Sequence, residues 1–226
     1  MFEKIEAVTF DDFNTLRYPV ETKEDIIYPI LRALKRNLAI NDNAFLNEYF
    51  KADALYRKNL KETQRESLLD NIILNVLKVC GFQATNIDGI VQNAVEEGIV
   101  TRKSLWFPDV KETLQTLRKR GYLLGLISNT HWRISKKPKK EFEKFFNVIT
   151  LSYEHGLAKP YPSIFLVTLN ELKTKPKYCL HVGDDPIADI QGAKNVGMKT
   201  AFINRRKIEV NTDIQIKELS ELLPFL

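Results

Sequence analysis

Ala7-Val8-Thr9-Phe10-Asp11-Asp12-Phe13-Asn14-Thr15-Leu16 is an apolar run that ends abruptly in a carboxylate, with a threonine four residues beyond Asp11. The run has the composition of a buried strand. In a parallel sheet the C-terminal strand ends open onto the crevice where ligands bind. An ionised Asp held there can attack phosphorus or carbon to form a covalent intermediate. The same residues also suit a strand followed by an Asx-type turn, so the decamer by itself leaves both readings open.

Three later apolar runs end in matching groups. Leu123-Leu124-Gly125-Leu126-Ile127 leads into Ser128-Asn129-Thr130, and Val148-Ile149-Thr150-Leu151 is followed by Gly156-Leu157-Ala158-Lys159-Pro160. Cys179-Leu180-His181-Val182 leads into Gly183-Asp184-Asp185-Pro186-Ile187-Ala188-Asp189. Between these runs lie helical patterns. Val110, Leu114 and Leu117 line a helix that Gly121 can stop, Ser163 to Asn170 precedes Tyr178 to Val182, and Pro186 to Val196 precedes Thr200 to Ile203. Strands alternating with helices predict an α/β fold with a parallel sheet and crossover helices.

Residues 21–98 read differently. No strand pattern stands out there, and four stripes recur at helical spacing. They are Ile26, Ile30, Leu34 and Leu38; then Phe45, Tyr49 and Tyr56; then Leu68, Leu69, Ile72, Ile73, Val76, Leu77 and Cys80; then Ile87, Ile90, Val91, Ala94 and Val95. Gly81 is a stop for the third helix in a left-handed conformation, and the fourth is expected to end near Gly98. Four such helices can bury their stripes against one another as a bundle. Arg17-Tyr18-Pro19 and Trp106-Phe107-Pro108 bracket the insertion as linkers.

Composition sets broad limits. With 226 residues, 44% of them apolar and 28% charged, the chain is long enough for one α/β core and a subsidiary unit. The net charge of +5 includes a local cluster at Arg133, Lys136, Lys137, Lys139 and Lys140. No nucleic-acid recognition module accompanies it, so it reads as a solvated face and nucleic acid is not an expected partner. Cys80 and Cys179 lie in apolar runs without metal-ligand spacing and read as reduced core residues. Met1-Phe2-Glu3-Lys4-Ile5-Glu6 is no leader, and no run of about 18 apolar residues occurs, so a cytoplasmic location away from membranes is expected.

In order and spacing the four motifs resemble the haloacid dehalogenase-like (HAD) hydrolase superfamily, type 1 helical cap subgroup, from about Ala7 to Ile203. The resemblance implies a Rossmann-like α/β core formed by residues 1–17 and 103–226, with a central parallel sheet. Residues 18–102 would be the inserted helical cap, a four-helix bundle that closes over the site and selects the substrate. The first-motif strand would be central, the next two on one side and the last two on the other.

The resemblance assigns the nucleophile to Asp11 rather than Asp12, because Thr15 then sits four residues on. Thr15 would orient Asp11 or hold the transferring group, although it also suits a turn cap. Ser128 and Asn129 would bind an oxyanion or phosphoryl group, although either residue commonly caps a helix. Lys159, otherwise an ordinary solvated lysine, would supply a point charge to the nucleophile and a phosphoryl oxygen. Asp184, Asp185 and Asp189 would repel one another without a cation, and hard oxygen ligands suit Mg²⁺. Asp11, the backbone carbonyl of Phe13, and Asp184 would ligate the metal, with Asp189 supporting the site. Asp185 and Asp189 also favour a helix N-terminus through its dipole.

Two positions depart from the family pattern. Most family phosphatases have a second Asp where this chain has Phe13, which cannot transfer a proton. Asn14 stands where Gly is usual and can still adopt a turn conformation. His131 lies within reach of a substrate; His155 and His181 read as structural. The expected function is a Mg²⁺-dependent phosphatase acting on a small phosphorylated metabolite through an aspartyl-phosphate, as a monomer or homodimer. Phe13 also fits a metal-free 2-haloacid dehalogenase, and a non-catalytic binding protein on the same fold is a third reading.

Overall fold

A computed structural model of the chain describes residues 4–20, 23–63, 69–82, 87–101, 104–130, 140–205 and 210–226. The sheet strands are β1 (Ala7–Phe10), β4 (Leu123–Ser128), β5 (Val148–Leu151), β6 (Cys179–Gly183), β7 (Lys199–Ile203) and β8 (Ile214–Ile216); β2 (Arg17–Pro19) and β3 (Ser104–Trp106) form a separate ribbon. The six-stranded sheet has the order β5-β4-β1-β6-β7-β8, and every neighbouring pair is parallel. The α/β expectation and the central place of β1 therefore hold. The sixth strand, β8, was not anticipated, because three residues with exposed Gln215 between Ile214 and Ile216 carry little periodic signal.

Burial on both faces explains the near-continuous apolar composition of β1. Successive side chains point to opposite faces of a strand. Val8 and Phe10 join a cluster with Val110, Leu114 and Leu117 of α5 (Val110–Lys119), whereas Ala7 faces Ile164, Phe165 and Leu169 on the other side. These last three belong to the helix Pro162–Glu171. All four β1 residues are buried, as expected for a strand with helices on both sides of the sheet.

Among the described residues the insertion holds four helices: α1 (Lys23–Lys35), α2 (Asp42–Thr63), α3 (Leu69–Val79) and α4 (Ile87–Thr101). Their buried faces form an apolar cluster of their own around Ile30, Leu34, Phe45, Ile73, Leu77 and Val91. These are the stripe residues read from the sequence; Leu68 and the side chain of Ile26 lie outside the described residues. Gly81 does take a left-handed conformation after α3, with φ +90°.

Gly98 does not stop the fourth helix, which continues to Thr101. A Cβ at Gly98 would lie 2.3 Å from Ile30 Cγ1, so glycine here lets α1 and α4 approach closely. The two linkers also differ from expectation. Arg17, Tyr18 and Pro19 pair antiparallel with Trp106, Leu105 and Ser104, which joins the two ends of the insertion by a short ribbon. Three-residue strands, one of them containing Pro and Arg, gave no alternating pattern to read.

Gly98→Ala is expected to destabilise the fold by about 1–3 kcal/mol, because overpacking outweighs the ~1 kcal/mol gain in helix propensity. In an Ile30→Ala background the same change should become neutral or stabilising. Urea unfolding midpoints of the four chains check this.

Candidate active site

Asp11 begins where β1 ends. Its N–H donates to the Val182 carbonyl at 2.9 Å, continuing the β1–β6 pairing by one residue. The parallel arrangement brings the ends of β1, β4, β5 and β6 to one edge, and the groups that follow them meet there. Lys159 Nζ donates to Asp11 Oδ1 at 2.7 Å and to Asp189 Oδ1 at 2.6 Å. Asp11, Asp184 and Asp189 each offer a carboxylate oxygen, and these oxygens lie within 4.8 Å of one another. Four residues separated by up to 178 positions in the chain thus form one buried cluster.

The loop after β1 is built around Asp12. Its carbonyl accepts from the N–H groups of Leu16 and Arg17, and Asn14 takes the left-handed conformation, φ 60°, that the turn needs. The Asp12 side chain is no mere neighbour. It accepts from Arg17 Nε at 2.8 Å and Nη2 at 2.5 Å, and both residues are buried. The Arg17 guanidinium also faces the rings of Phe142, Phe13 and Trp106, at 4.4, 5.4 and 5.8 Å from their centroids. This bidentate pair ties the loop beside Asp11 to the β2–β3 ribbon.

Asn129 has a different task from the one expected. Its side-chain carbonyl accepts from the Lys159 N–H and its amide donates to the Lys159 carbonyl, both at 2.8 Å. It therefore fixes the backbone that carries Lys159. Ser128 is buried at the end of β4, paired in register with Leu151. Thr15 does not hydrogen-bond Asp11. Among the described residues its buried hydroxyl has no hydrogen-bond partner, an arrangement that costs about 1–3 kcal/mol unless a ligand completes it. His131 and Trp132 lie outside the described residues.

Asp189 is held by more than Lys159. Its Oδ2 accepts the Asp185 N–H at 3.0 Å, and its Oδ1 is 3.3 Å from His181 Nε2. Asp185 caps the following π-helical turn, Pro186–Gln191, by accepting from the N–H groups of Ile187 and Ala188. The helix-terminus reading thus holds for Asp185, while Asp189 turns back under the strand. Glycine at 183 permits this, because a Cβ there would lie 2.2 Å from Asp189 Cγ.

Electrostatics divides the cluster. Burial pushes the Asp11 carboxyl above the usual carboxylate range, and Asp189 and Asp184 reinforce the rise against Lys159. Burial acts the same way on Asp189, yet Lys159 and His181 outweigh it and hold that carboxyl low. Burial alone would lower the Lys159 pKa; Asp11 and Asp189 keep it raised. Burial pulls the His181 imidazole below its ordinary value. Three carboxylates face one ammonium, so full ionisation leaves two negative charges in excess. A buried set of hard oxygen donors with that excess fits a divalent cation.

A model of the haloacid dehalogenase-like hydrolases matches residues 5–197. The chain belongs to this family. Among curated relatives, glyceraldehyde 3-phosphate phosphatase of Pyrococcus furiosus is 36% identical over 116 residues, which cover 50% of this chain and 48% of that protein. The chain thus spans about half the length of that relative in the match. Pyrophosphatase PpaX of Bacillus thuringiensis is 28% identical over 99% of this chain and 97% of its own length. Among solved HAD structures, 2-haloacid dehalogenase from Pseudomonas syringae pv. Tomato DC3000 superposes with a TM-score of 0.73 at 25% identity, covering 98% of this chain and 97% of the other. A HAD phosphatase from Thermococcus onnurineus gives a TM-score of 0.62 at 25% identity and the same coverage. Among the described residues no helix is long and apolar enough to cross a membrane.

His181, Asp12 and Arg17 escaped the sequence reading of this HAD site. The bidentate spacing Asp12 to Arg17 was a usable signal; the position of His181 depends on sheet register and was not. Gly183→Ala should displace Asp189 and cost about 1–3 kcal/mol of stability through overpacking. Urea unfolding of the variant beside Gly125→Ala, where the nearest atoms are 3.0–3.2 Å away, checks that the larger loss falls at Gly183.

Proposed function

We propose that this chain is a Mg²⁺-assisted phosphatase that hydrolyses a small phosphorylated metabolite through an aspartyl-phosphate on Asp11. The observation that carries the reading is the single buried cluster of Asp11, Asp184 and Asp189 around Lys159. Asp11, Asp184 and the Phe13 carbonyl would hold the cation, with Asp189 in support. When bound, Mg²⁺ supplies positive charge that offsets the phosphoryl oxygens.

The chain's own residues do the remaining work. Lys159 donates to Asp11 Oδ1, which leaves Oδ2 as the attacking oxygen. Oδ2 forms a bond to phosphorus as the bond to the leaving oxygen breaks, and the leaving group departs with the electron pair. Water then cleaves the acyl-phosphate and regenerates the carboxylate. Lys159, kept charged by two carboxylates, neutralises the phosphoryl oxygens as negative charge gathers on them. Thr15 and Ser128 would position those oxygens, and the buried Thr15 hydroxyl has the hydrogen bond to give. Asn129 holds Lys159 by its backbone. The helices of residues 18–102 would act as the cap that excludes water and selects the substrate.

The similarity of the pyrophosphatase and glyceraldehyde 3-phosphate phosphatase relatives supports a phosphorylated substrate. Phe13 removes the proton donor that most family phosphatases place beside the nucleophile, which favours substrates with good leaving groups. General acid help is typically worth ~10²–10⁴-fold. The likeness to a 2-haloacid dehalogenase favours one second reading, displacement of halide by Asp11 without metal. The buried acidic cluster speaks against it, because attack on a haloacid gives no role to a divalent cation.

Asp11→Asn should abolish hydrolysis of an activated aryl phosphate, and turnover should require Mg²⁺. Full activity of that variant would remove Asp11 as the nucleophile and overturn this reading, whereas equal rates in EDTA with halide release from a 2-haloacid would replace it with the dehalogenase one.

Thermal unfolding gives a readout independent of turnover. A cation at about 100 times its Kd should stabilise the wild type by ~2.7 kcal/mol. In EDTA Asp184→Asn should be at least as stable as the wild type, since it removes one of three repelling carboxylates. With Mg²⁺ the order should reverse.

Phe13→Asp should accelerate alkyl phosphates more than nitrophenyl phosphate, whose leaving group hardly needs a proton. Steady-state rates on protein shown to be folded check this. Loss of aryl phosphate hydrolysis without any gain on alkyl esters would mean that Phe13 shapes the site for other chemistry.

A further inference from the structure

Thr9 and His181 stand directly opposite each other in the register of β1 and β6, one strand turn below Asp11. Both are fully buried on the same face of the sheet. Thr9 Oγ1 lies 2.9 Å from His181 Nδ1, and the other ring nitrogen, Nε2, faces Asp189 Oδ1 at 3.3 Å. The ring edge is fixed from the side by Phe165, whose centroid is 5.2 Å away at an interplanar angle of 88°. An imidazole with both nitrogens engaged and its plane packed has one orientation available.

The direction of the hydrogen bonds follows from the partners. The Asp189 carboxylate takes Lys159 and the Asp185 N–H as donors, so toward His181 it can only accept. Nε2 therefore carries a hydrogen. The Thr9 hydroxyl is then free to donate to Nδ1, while its oxygen accepts from the buried Cys179 thiol, 4.0 Å away.

We propose that His181 is a positioning residue: Thr9 locks it with hydrogen on Nε2, and it fixes the Asp189 carboxylate that holds Lys159 against Asp11. The inference rests on Asp11 being the reacting carboxylate. Without the His181 donor, Asp189 keeps Lys159 and one backbone N–H, and its carboxylate can rotate about its side-chain bonds. The Lys159 ammonium then loses its second anchor and its place between the two acids. His181 touches no substrate, so its loss should fall on the chemical step rather than on substrate binding.

Two side chains separate this role from simple packing. The amide nitrogen of Gln reaches the place of Nε2, whereas that of Asn stops at the place of Nδ1. His181→Gln should keep most of kcat. His181→Asn and His181→Phe should each lose about 10–100-fold in kcat, as supporting residues of such sites typically do, with KM changed by no more than about twofold. Equal activity of the Gln and Phe variants, or a loss confined to KM, would overturn the proposal.

A second measurement needs neither turnover nor a substitution. Nitrogen-15 NMR of the wild-type imidazole should show hydrogen on Nε2 and a bare Nδ1. Hydrogen found on Nδ1 with Nε2 bare would overturn the lock. Because this result is read on resting protein, it stands or falls separately from the phosphatase reading.

Discussion

The Lys159 ammonium, held between Asp11 and Asp189 at 2.7 and 2.6 Å, is the interaction on which the rest of the site depends. A buried ammonium and buried carboxylates are each expensive, and Lys159 offsets part of that cost with a charged hydrogen bond to each of Asp11 and Asp189. Remove the ammonium and two buried acids face each other uncompensated. Remove either acid and a charged lysine is left with half its compensation. The loops after three strands must therefore converge to atomic accuracy, which explains how much of the surrounding structure serves to place them. Asn129 clamps the Lys159 backbone, the Asp185 N–H and His181 hold Asp189, and Gly183 leaves room for the Asp189 side chain to fold back.

A parallel sheet is suited to such convergence. Each crossover returns the chain to the same edge, so residues distant in sequence meet at the C-terminal strand ends. The buried core beneath them makes that edge rigid: β1 is covered on both faces and cannot shift without disturbing two packed clusters. Reaction chemistry at that edge then needs only a few groups held in place, while the inserted helices bury an apolar cluster of their own.

The root of the inserted helices is tied to the core by a second buried ion pair. Arg17 belongs to the β2–β3 ribbon at the root of the insertion, and its bond to Asp12 reaches the residue beside the nucleophile. On the other strand of the ribbon, Trp106 contributes a ring to Arg17 and packs with Phe142 and Phe145. Arg205 lies over the ring of Phe107, 3.5 Å from its centroid, and donates to the Thr15 carbonyl at 3.3 Å. Through these cationic side chains the root of the insertion and the loop of the first motif form one packed unit.

Apart from the short β8, the sequence by itself determined the sheet strands and their crossover helices, because their apolar residues recur with the period of two or three to four that burial on one face or both requires. It also determined which carboxylates and which lysine end those strands, and the stripes of the helical insertion. Tertiary structure decided what periodicity cannot encode. Sheet order brought Thr9 opposite His181, and packing distance made Gly98 a contact rather than a stop. The same distances gave Asn129 to Lys159, left the Thr15 hydroxyl without a bond to Asp11, and turned Asp12 into the partner of Arg17. Periodicity reports which face of an element is buried; which residue of another element waits on that face is settled only when the elements are assembled.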